Sequence, residues 1–239
     1  MSGGALHAEG RPAVVIPARD EARTVGGIVE AALEALPGAV VIVVDDASRD
    51  GTGARAVAAG AAVVRLDRHA GYAGALRAGY RAAAAAGAGT VAQLDADGQH
   101  DPADLPRLVE GLAGADLVVG SRFLTPGGYR PPPIRAAAIA ACRAMAARVG
   151  GLQVSDPTSG FRALRPGLAR LLAEEGFPFG LTETSLLISL HRRGFRIAEA
   201  PVAMRPCDGA SMHAGLAGGA HFLRISIAVL ALAAGRGSR

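Results

Sequence analysis

The chain has 239 residues, enough for one large α/β domain or for two small ones. Half of its residues are hydrophobic and only 4 % are aromatic, so the core must consist mainly of Ala, Val and Leu, and the periodic apolar segments argue against a disordered chain. The formal net charge is +4 without a single lysine, so every fixed cation is an arginine, and the two cysteines match no metal or redox spacing.

The predicted elements alternate between strands and helices. Ala13–Pro17 is a short apolar run, and a helical pattern follows from about Glu21 to Leu36. Further strands are predicted at Val40–Val44, Ala62–Leu66, Thr90–Leu94 and Leu117–Gly120, and further helices at Tyr72–Ala86 and Pro102–Leu112, the last with Asp101 as its N-cap. This alternation is typical of βαβ units, so we expect an α/β fold with a mostly parallel, Rossmann-like sheet flanked by helices.

The two ends of the chain are predicted to differ from its centre. Residues 1–11 are small and polar and are expected to form a disordered tail without a signal peptide. Residues 12–215 are expected to form the single domain, and residues 216–239 a C-terminal helix and tail. The apolar run Phe222–Ala234 is interrupted by Arg224 and is shorter than the roughly 20 residues that span a bilayer. We therefore expect a cytoplasmic protein that does not cross a membrane by itself.

Three polar clusters follow three of the predicted strands. They read PARDEA after the first strand, DDASRDGT after the second and DADGQHD after the strand at Thr90–Leu94. In parallel α/β sheets ligands bind beyond the carboxyl ends of the strands, so the three clusters are expected to form one site.

The third cluster carries the donor set of a hard metal ion. Asp95 and Asp97 are two residues apart at a strand end, so their side chains are expected to converge, and Gln99 adds a neutral oxygen. Oxygen ligands in an incomplete shell suit Mg²⁺ or Mn²⁺, which would share the remaining positions with substrate phosphates. His100 is a further ligand candidate, although a lone histidine beside a turn is more often a polar surface residue.

Five segments in this order carry a resemblance to a known family. They are VVIPARDEA, VVDDASRDGT, LDADGQHDP, GSRF and DPTSGFRA, within a stretch that runs from about Ala13 to Ser211. The chain resembles the inverting family 2 glycosyltransferases of the GT-A fold, and within them the polyprenol-phosphate (dolichol-phosphate) mannosyltransferase branch. Any one of the motifs is loose, but five in the correct order are specific.

The resemblance implies a role for each matching residue. The residues implied for the nucleotide sugar are Pro17, Arg19 and Glu21 in the first segment, Val44 and Asp46 in the second, and Asp95 and Ala96 in the third. Asp95 and Asp97 are implied to hold the metal as a DxD element, with Gln99 as an additional ligand.

The resemblance also implies residues for the acceptor. Arg122 and Arg135 match the arginines that bind an acceptor phosphate, and Asp156 belongs to the loop beneath the active site. Arg205 and Ser211 resemble a loop that closes over the diphosphate.

The chemistry from the residues agrees with a transfer from a nucleotide sugar. A divalent cation and arginines stabilise a leaving diphosphate electrostatically. An acceptor phosphate needs no strong general base, whereas a hydroxyl acceptor needs a carboxylate, for which Asp156 is the first candidate. Its alternative role is structural, in fixing the TSGFR loop, and the sequence leaves the two roles about even.

Several alternatives remain open from the sequence. The acceptor is either a polyprenyl phosphate or a soluble small molecule, and Ile139 favours the latter because the family has a hydroxyl residue there. A catalytically inactive nucleotide-sugar-binding subunit and a nucleotidyltransferase are more distant alternatives. Nucleic acid is not an expected partner. Peripheral contact with the inner face of a membrane, for which the apolar segment Ile134–Val149 is a candidate, and a homodimer also remain open.

Overall fold

Seven strands form one sheet in the computed structural model of the chain, which describes residues 10–125, 129–174 and 183–204. The strands are β1 (Pro12–Ala18), β2 (Val40–Asp45), β3 (Ala62–Arg65), β4 (Thr90–Gln93), β5 (Leu117–Ser121), β6 (Arg162–Leu164) and β7 (Ile197–Pro201). The helices within these ranges are α1 (Val25–Ala35), α2 (Thr52–Ala58), α3 (Gly71–Ala85), α4 (Leu105–Gly111), α5 (Pro133–Gly150), α6 (Pro166–Ala173) and α7 (Glu183–Arg192).

The strand order is β3-β2-β1-β4-β6-β5-β7, and every neighbouring pair is parallel except the two that involve β6. The predicted α/β fold with a mostly parallel sheet is therefore confirmed. The chain leaves β1 in one direction toward β2 and β3, and returns to its other side at β4. Such a reversal opens a crevice at the carboxyl ends of β1 and β4, where α/β proteins place their ligands.

The core lies on both faces of the sheet because alternate residues of each strand point to opposite sides. In β1, Val14 and Ile16 belong to the layer that is covered by α1 and α4, whereas Val15 belongs to the layer beneath α3, α6 and α7. The side chains of both layers are mostly Val, Leu and Ala, as the composition predicts. The sheet is buried on both faces, so its carboxyl edge is the part that can receive a ligand.

The five strands that the sequence predicts are present with ends that shift by one residue at most. Asp101 also has its predicted place, since its side chain accepts a hydrogen bond from the Ala103 N–H at 3.1 Å, although the first turn, Pro102–Asp104, is a 3₁₀-helix. The predicted first helix begins four residues late, at Val25. Helices α2, α6 and α7 and strands β6 and β7 have no counterpart among the predicted elements.

None of the helices in the described ranges combines the length and the apolarity that crossing a bilayer requires. Helix α5 is the long apolar helix that the sequence indicates, and Ile134 at its start is 89 % exposed. Most of the N-terminal tail and the whole segment from residue 205, with the apolar run Phe222–Ala234, lie outside the described residues.

Candidate active site

The turns after β1 and β2 are joined by hydrogen bonds from main-chain amides to short side chains. The Asp20 N–H donates to Ser48 Oγ at 3.0 Å, and the Glu21 N–H donates to Thr52 Oγ1 at 2.8 Å. The Asp46 N–H donates to the Ala18 carbonyl at 2.9 Å, directly at the ends of the two strands. Two of the three predicted polar clusters therefore form one continuous surface.

The residues predicted to bind the nucleotide differ in exposure. Pro17 and Val44 are buried, Val44 in the layer beneath α3, so their side chains face the protein. Arg19 is exposed and Glu21 is half-buried, and burial raises the pKa of the Glu21 carboxyl group. Of the three residues predicted from this first segment, Arg19 and Glu21 therefore have side chains open to a ligand.

Asp46 lies at the end of β2 and caps the start of α3. Its carboxylate accepts hydrogen bonds from the main-chain N–H groups of Ala70 at 2.6 Å and Gly71 at 2.9 Å. The same carboxylate lies 2.7 Å from Nδ1 of His69. Because both Asp46 oxygens have partners on the β3–α3 connection, this residue fixes the third strand end to the other two.

The third polar cluster is hydrogen-bonded to Thr24, the N-cap residue of α1, close to the first cluster. Thr24 Oγ1 donates a hydrogen bond of 2.6 Å to the Ala96 carbonyl, which lies between the two predicted metal ligands. Asp97 Oδ1 accepts from the Gln99 N–H at 3.0 Å, in a turn that Gly98 allows with φ of 76°. The turn therefore holds the predicted metal-binding segment against the crevice between β1 and β4.

Asp95 provides a test of whether these residues fit a cation. Its Oδ1 atom is buried and has no hydrogen-bond partner within the described part of the chain. Burial and the charge of Asp97 raise the pKa of Asp95 to about 7. A buried, unpaired carboxylate oxygen beside a second carboxylate is stabilised by a cation, so the donor set fits a divalent metal.

Across the described ranges, no group of three or more His, Cys, Asp or Glu side chains is arranged to hold a metal. The assignment of Asp95, Asp97 and Gln99 to a metal therefore stays a prediction.

The interpretation of His100 as a surface residue is wrong. His100 is buried, its ring centre lies 5.0 Å from that of Phe161, and its Nε2 atom is 4.0 Å from Asp95 Oδ2. Burial and the charge of Arg122 lower its pKa to about 4, so the imidazole is neutral near pH 7. Local patterns could not indicate this burial because the contact with Phe161 joins residues 61 positions apart.

Arg122 and Asp156 form a buried ion pair at the end of β5. Arg122, only 4 % exposed, donates from Nε to Asp156 Oδ2 at 2.6 Å and from Nη2 to Asp156 Oδ1 at 2.7 Å. Nη2 also donates to Thr158 Oγ1 at 2.8 Å. Burial acts to lower the pKa of Arg122, but the hydrogen bonds and charge of Asp156 outweigh it, and the pKa is raised.

Glu199 on β7 holds the main chain around Asp156. Its carboxylate accepts hydrogen bonds from the N–H groups of Ser155 at 2.7 Å and of Asp156 at 2.8 Å. Since both oxygens of Asp156 are also engaged, this geometry favours the structural role that the sequence left open for Asp156 over the role of a general base.

The two arginines predicted to bind an acceptor phosphate meet at an aromatic ring. The guanidinium carbon of Arg122 lies 5.2 Å from the centre of the Tyr129 ring, and that of Arg135 lies 5.7 Å from it. Both distances are typical of cation–π contacts. Tyr129 thus brings together two cations that are 13 positions apart in the sequence.

Four further polar residues lie beside Asp95, and of these only Arg162 belongs to a motif that was named from the sequence, as the last residue of the TSGFR loop. Gln93 donates from Nε2 to the Gly160 carbonyl at 2.7 Å, Tyr72 makes a side-chain hydrogen bond to Asp95, and the charges of Glu183 and Arg162 act on the same carboxylate. Arg162 is 2 % exposed, and its Nε and Nη2 atoms have no hydrogen-bond partner among the described residues. These side chains come from α3, β4, β6 and α7, so no local pattern could have indicated that they meet.

Gly160 explains the close packing on this side of the metal-binding segment. A Cβ atom at Gly160 would lie 2.8 Å from the Tyr72 hydroxyl and 3.1 Å from Asp95 Oδ2, closer than ordinary contacts.

Arg205 and Ser211, which were predicted to close over a diphosphate, lie outside the described residues, so their role stays a prediction.

Comparisons of the sequence with known proteins identify several relatives. The sequence profile described as "Glycosyl transferase family 2" matches residues 13–170. The undecaprenyl-phosphate mannosyltransferase of Micrococcus luteus is 33 % identical over 219 residues, which cover 87 % of this chain and 90 % of that protein. The polyprenol monophosphomannose synthase of Mycolicibacterium smegmatis is 32 % identical over 205 residues, or 80 % of this chain and 76 % of the relative.

Among solved structures, the chain is similar to glucosyl-3-phosphoglycerate synthase of Mycobacterium tuberculosis. The TM-score is 0.73 at 26 % sequence identity, over 95 % of this chain and 81 % of the synthase. That structure was determined with Mn²⁺, UDP and glucosyl-3-phosphoglycerate.

Proposed function

The chain belongs to glycosyl transferase family 2 and is a glycosyltransferase related to the polyprenyl-phosphate mannosyltransferases, and from that premise we propose its substrates. It transfers a hexose, with inversion, from a GDP- or UDP-linked donor to a polyprenyl phosphate in a reaction that depends on Mg²⁺ or Mn²⁺. The proposal rests on one observation: acidic and basic side chains lie at the same edge of the sheet. A carboxylate pair with an unpaired buried oxygen follows β4, and two arginines gather around Tyr129 after β5.

Asp95, Asp97 and Gln99 would hold the cation, which supplies positive charge to the leaving diphosphate when bound. The proposed donor lies across the crevice, with its nucleoside at the turns after β1 and β2. Arg19 and Glu21 are the polar side chains proposed to contact the nucleoside, and Asp46 is proposed to support it from the end of β2, since its oxygens are engaged by His69, Ala70 and Gly71. The backbone that lines the nucleoside is completed by Pro17, Val44 and Ala96. The residues proposed for the diphosphate are Arg205 and Ser211.

The acceptor phosphate is proposed to lie against Arg135 and the Nη1 edge of Arg122, the edge that does not bond to Asp156. Arg122 donates from Nε and Nη2 to Asp156, whereas its Nη1 atom lies 3.8 Å from Met204 Sδ, a weak acceptor. An anionic phosphate oxygen attacks the anomeric carbon, and the bond to the diphosphate breaks with its electron pair leaving on the diphosphate. No proton needs to be removed, which agrees with an Asp156 whose oxygens are fully engaged.

The test is a transfer assay with a polyprenyl phosphate, performed beside donor hydrolysis by water. We expect Arg135→Gln to lower kcat/KM for transfer about 10- to 100-fold, since a hydrogen bond to a charged group is worth roughly 1.5–3 kcal/mol. Hydrolysis should be largely spared because water has no phosphate to bind. Arg148→Gln is the matched control, an exposed arginine in the last turn of the same helix. Equal loss of both activities in Arg135→Gln would assign the arginine to the donor or the fold.

A soluble acceptor is the second candidate, and two observations favour it. Ile139 stands where the family has a hydroxyl residue, and it is buried in the core, so it offers no ligand to a lipid phosphate. The similar synthase of M. tuberculosis holds a glucosylated phosphoglycerate, a small phosphate-bearing product. A wild-type protein that ignores polyprenyl phosphates but transfers to small phosphate esters would establish this candidate. Peripheral membrane contact belongs to the first candidate, and a homodimer stays a prediction.

A further inference from the structure

His69 is a half-exposed side chain at the nucleoside end of the candidate site to which neither the motifs nor the family resemblance gives a role. It lies in the connection between β3 and α3, and its side chain is 54 % exposed. Its Nδ1 atom is 2.7 Å from Asp46, which itself follows β2 and bonds to the end of β1. The imidazole therefore stands beside the strand ends that are proposed to receive the nucleoside.

The contact with Asp46 determines which ring nitrogen carries the proton. An ionised carboxylate only accepts hydrogen bonds, and Asp46 already accepts two from the N–H groups of Ala70 and Gly71. In neutral His69, Nδ1 must therefore be the donor to Asp46, which leaves a lone pair on Nε2. Within the described residues no partner is present for Nε2, and the half-exposed ring leaves this acceptor open to a ligand.

We infer that His69 selects the base of the donor, an inference that rests on the proposed function. Nε2 accepts a hydrogen bond from the ring N–H at the centre of the Watson–Crick edge, which guanine carries at N1 and uracil at N3. Adenine and cytosine have a bare nitrogen with a lone pair at these positions, so they would place two acceptors against each other. His69 thus favours guanine and uracil nucleotides over adenine and cytosine nucleotides.

Asp46 acts through His69 in this arrangement and is a positioning residue. Its two oxygens carry three hydrogen bonds to the β3–α3 connection, so it fixes the tautomer and the direction of the imidazole. A site built around a single acceptor discriminates between bases because a mismatch leaves a polar group unpaired as well as losing a bond.

The test measures the affinity of the full-length protein for GDP, UDP, ADP and CDP by calorimetry, with Mn²⁺ at pH 8. Wild type should bind GDP or UDP at least about 10-fold more tightly than ADP and CDP. His69→Phe keeps an aromatic ring but has no acceptor, so it should bring the four affinities within about 3-fold of one another. His191→Phe makes the same change in the last turn of α7 and should retain the wild-type preference. A ratio of affinities is unaffected by any loss of folded protein.

The inference is overturned if wild type binds the four nucleotides equally, or if His69→Phe keeps the wild-type preference. These outcomes are distinct from a failure of the proposed function. A protein that shows the His69-dependent preference but transfers no sugar to polyprenyl phosphate or to small phosphate esters retains the inference and loses that function. A wild type that binds none of the four nucleotides contradicts both.

Discussion

On the side of the site proposed for the nucleoside (the nucleoside side), the turns after β1, β2 and β3 are joined by main-chain amides that donate to short polar side chains, such as Asp20 N–H to Ser48 Oγ. On the side proposed for the transfer (the transfer side), at the ends of β4 and β5, buried charged groups are joined instead, above all Arg122 with Asp156. A hydrogen bond from a main-chain amide to a hydroxyl contributes about 1 kcal/mol to stability. A buried charge that loses its partner costs about 3–5 kcal/mol. Substitutions on the nucleoside side should therefore change binding more than stability, and those on the transfer side should change both unless the residue faces the substrate.

The largest expected effect concerns a residue of the transfer side that is proposed to face the substrate, Asp97. Asp97→Asn removes a charge from the proposed metal site without changing volume, and the amide oxygen can still accept the Gln99 N–H that Asp97 accepts at 3.0 Å. Transfer should fall at least about 10³-fold because the leaving diphosphate loses its counter-charge, while the melting temperature stays near that of wild type.

Asp101→Asn is the matched control for this variant. It makes the same change four residues later, at an N-cap where Asn serves about as well as Asp. Full activity of Asp97→Asn, or activity that EDTA does not diminish, would contradict the assignment of the metal to this segment.

The second expected effect is on stability. Asp156→Ala should lower the free energy of unfolding by about 3–5 kcal/mol in urea titrations, because it leaves the buried Arg122 guanidinium unpaired. Arg122→Met combined with Asp156→Leu should recover much of this loss, since no isolated charge remains. Arg196→Ala breaks the exposed pair with Asp116 and should cost no more than about 1 kcal/mol.

The same variants separate a structural Asp156 from a catalytic one. If Asp156→Asn kept wild-type stability but lost transfer to a hydroxyl acceptor, the general-base role would replace the structural one. A cost below 1 kcal/mol for Asp156→Ala would also remove the contrast between the two sides of the site.

The two sides also differ in how far the sequence could predict them. The nucleoside side arises from strands with clear apolar runs, β1 and β2, and from turn residues adjacent to them, so its position follows from local patterns. On the transfer side, β6 has three residues and becomes a strand only by pairing between β4 and β5. No local signal can indicate a strand that depends on partners so far away in the sequence: Ala163 pairs with Ala92, 71 positions earlier, and with Val118, 45 positions earlier.

The buried charges of the transfer side were beyond prediction for the same reason. Arg122 and Asp156 were both named from the resemblance, but as separate groups, and their ion pair spans 34 positions. His100 was placed on the surface because its turn is polar, whereas its burial depends on Phe161 from the unpredicted region around β6. Composition and spacing identify which residues are polar, but the fold decides which of them pair.

The smallest expected effect concerns backbone strain on the nucleoside side. Ala47 follows Asp46 in the turn after β2 and has φ of 59°, a left-handed conformation that costs a residue with a Cβ atom about 1–2 kcal/mol. Ala47→Gly removes this strain, but glycine also gains freedom in the unfolded chain, which offsets about 0.4–1 kcal/mol. The net gain should be about 0.5 kcal/mol, or an increase of one or two degrees in the melting temperature.

Gly51 in the same turn is the reverse case: it has φ of 89° and no heavy atom within 4 Å of an added Cβ, so Gly51→Ala should destabilise through strain alone. Paired thermal melts of the two variants would measure this strain, and a destabilising Ala47→Gly would mean that the Cβ atom of Ala47 contributes packing that outweighs its strained backbone.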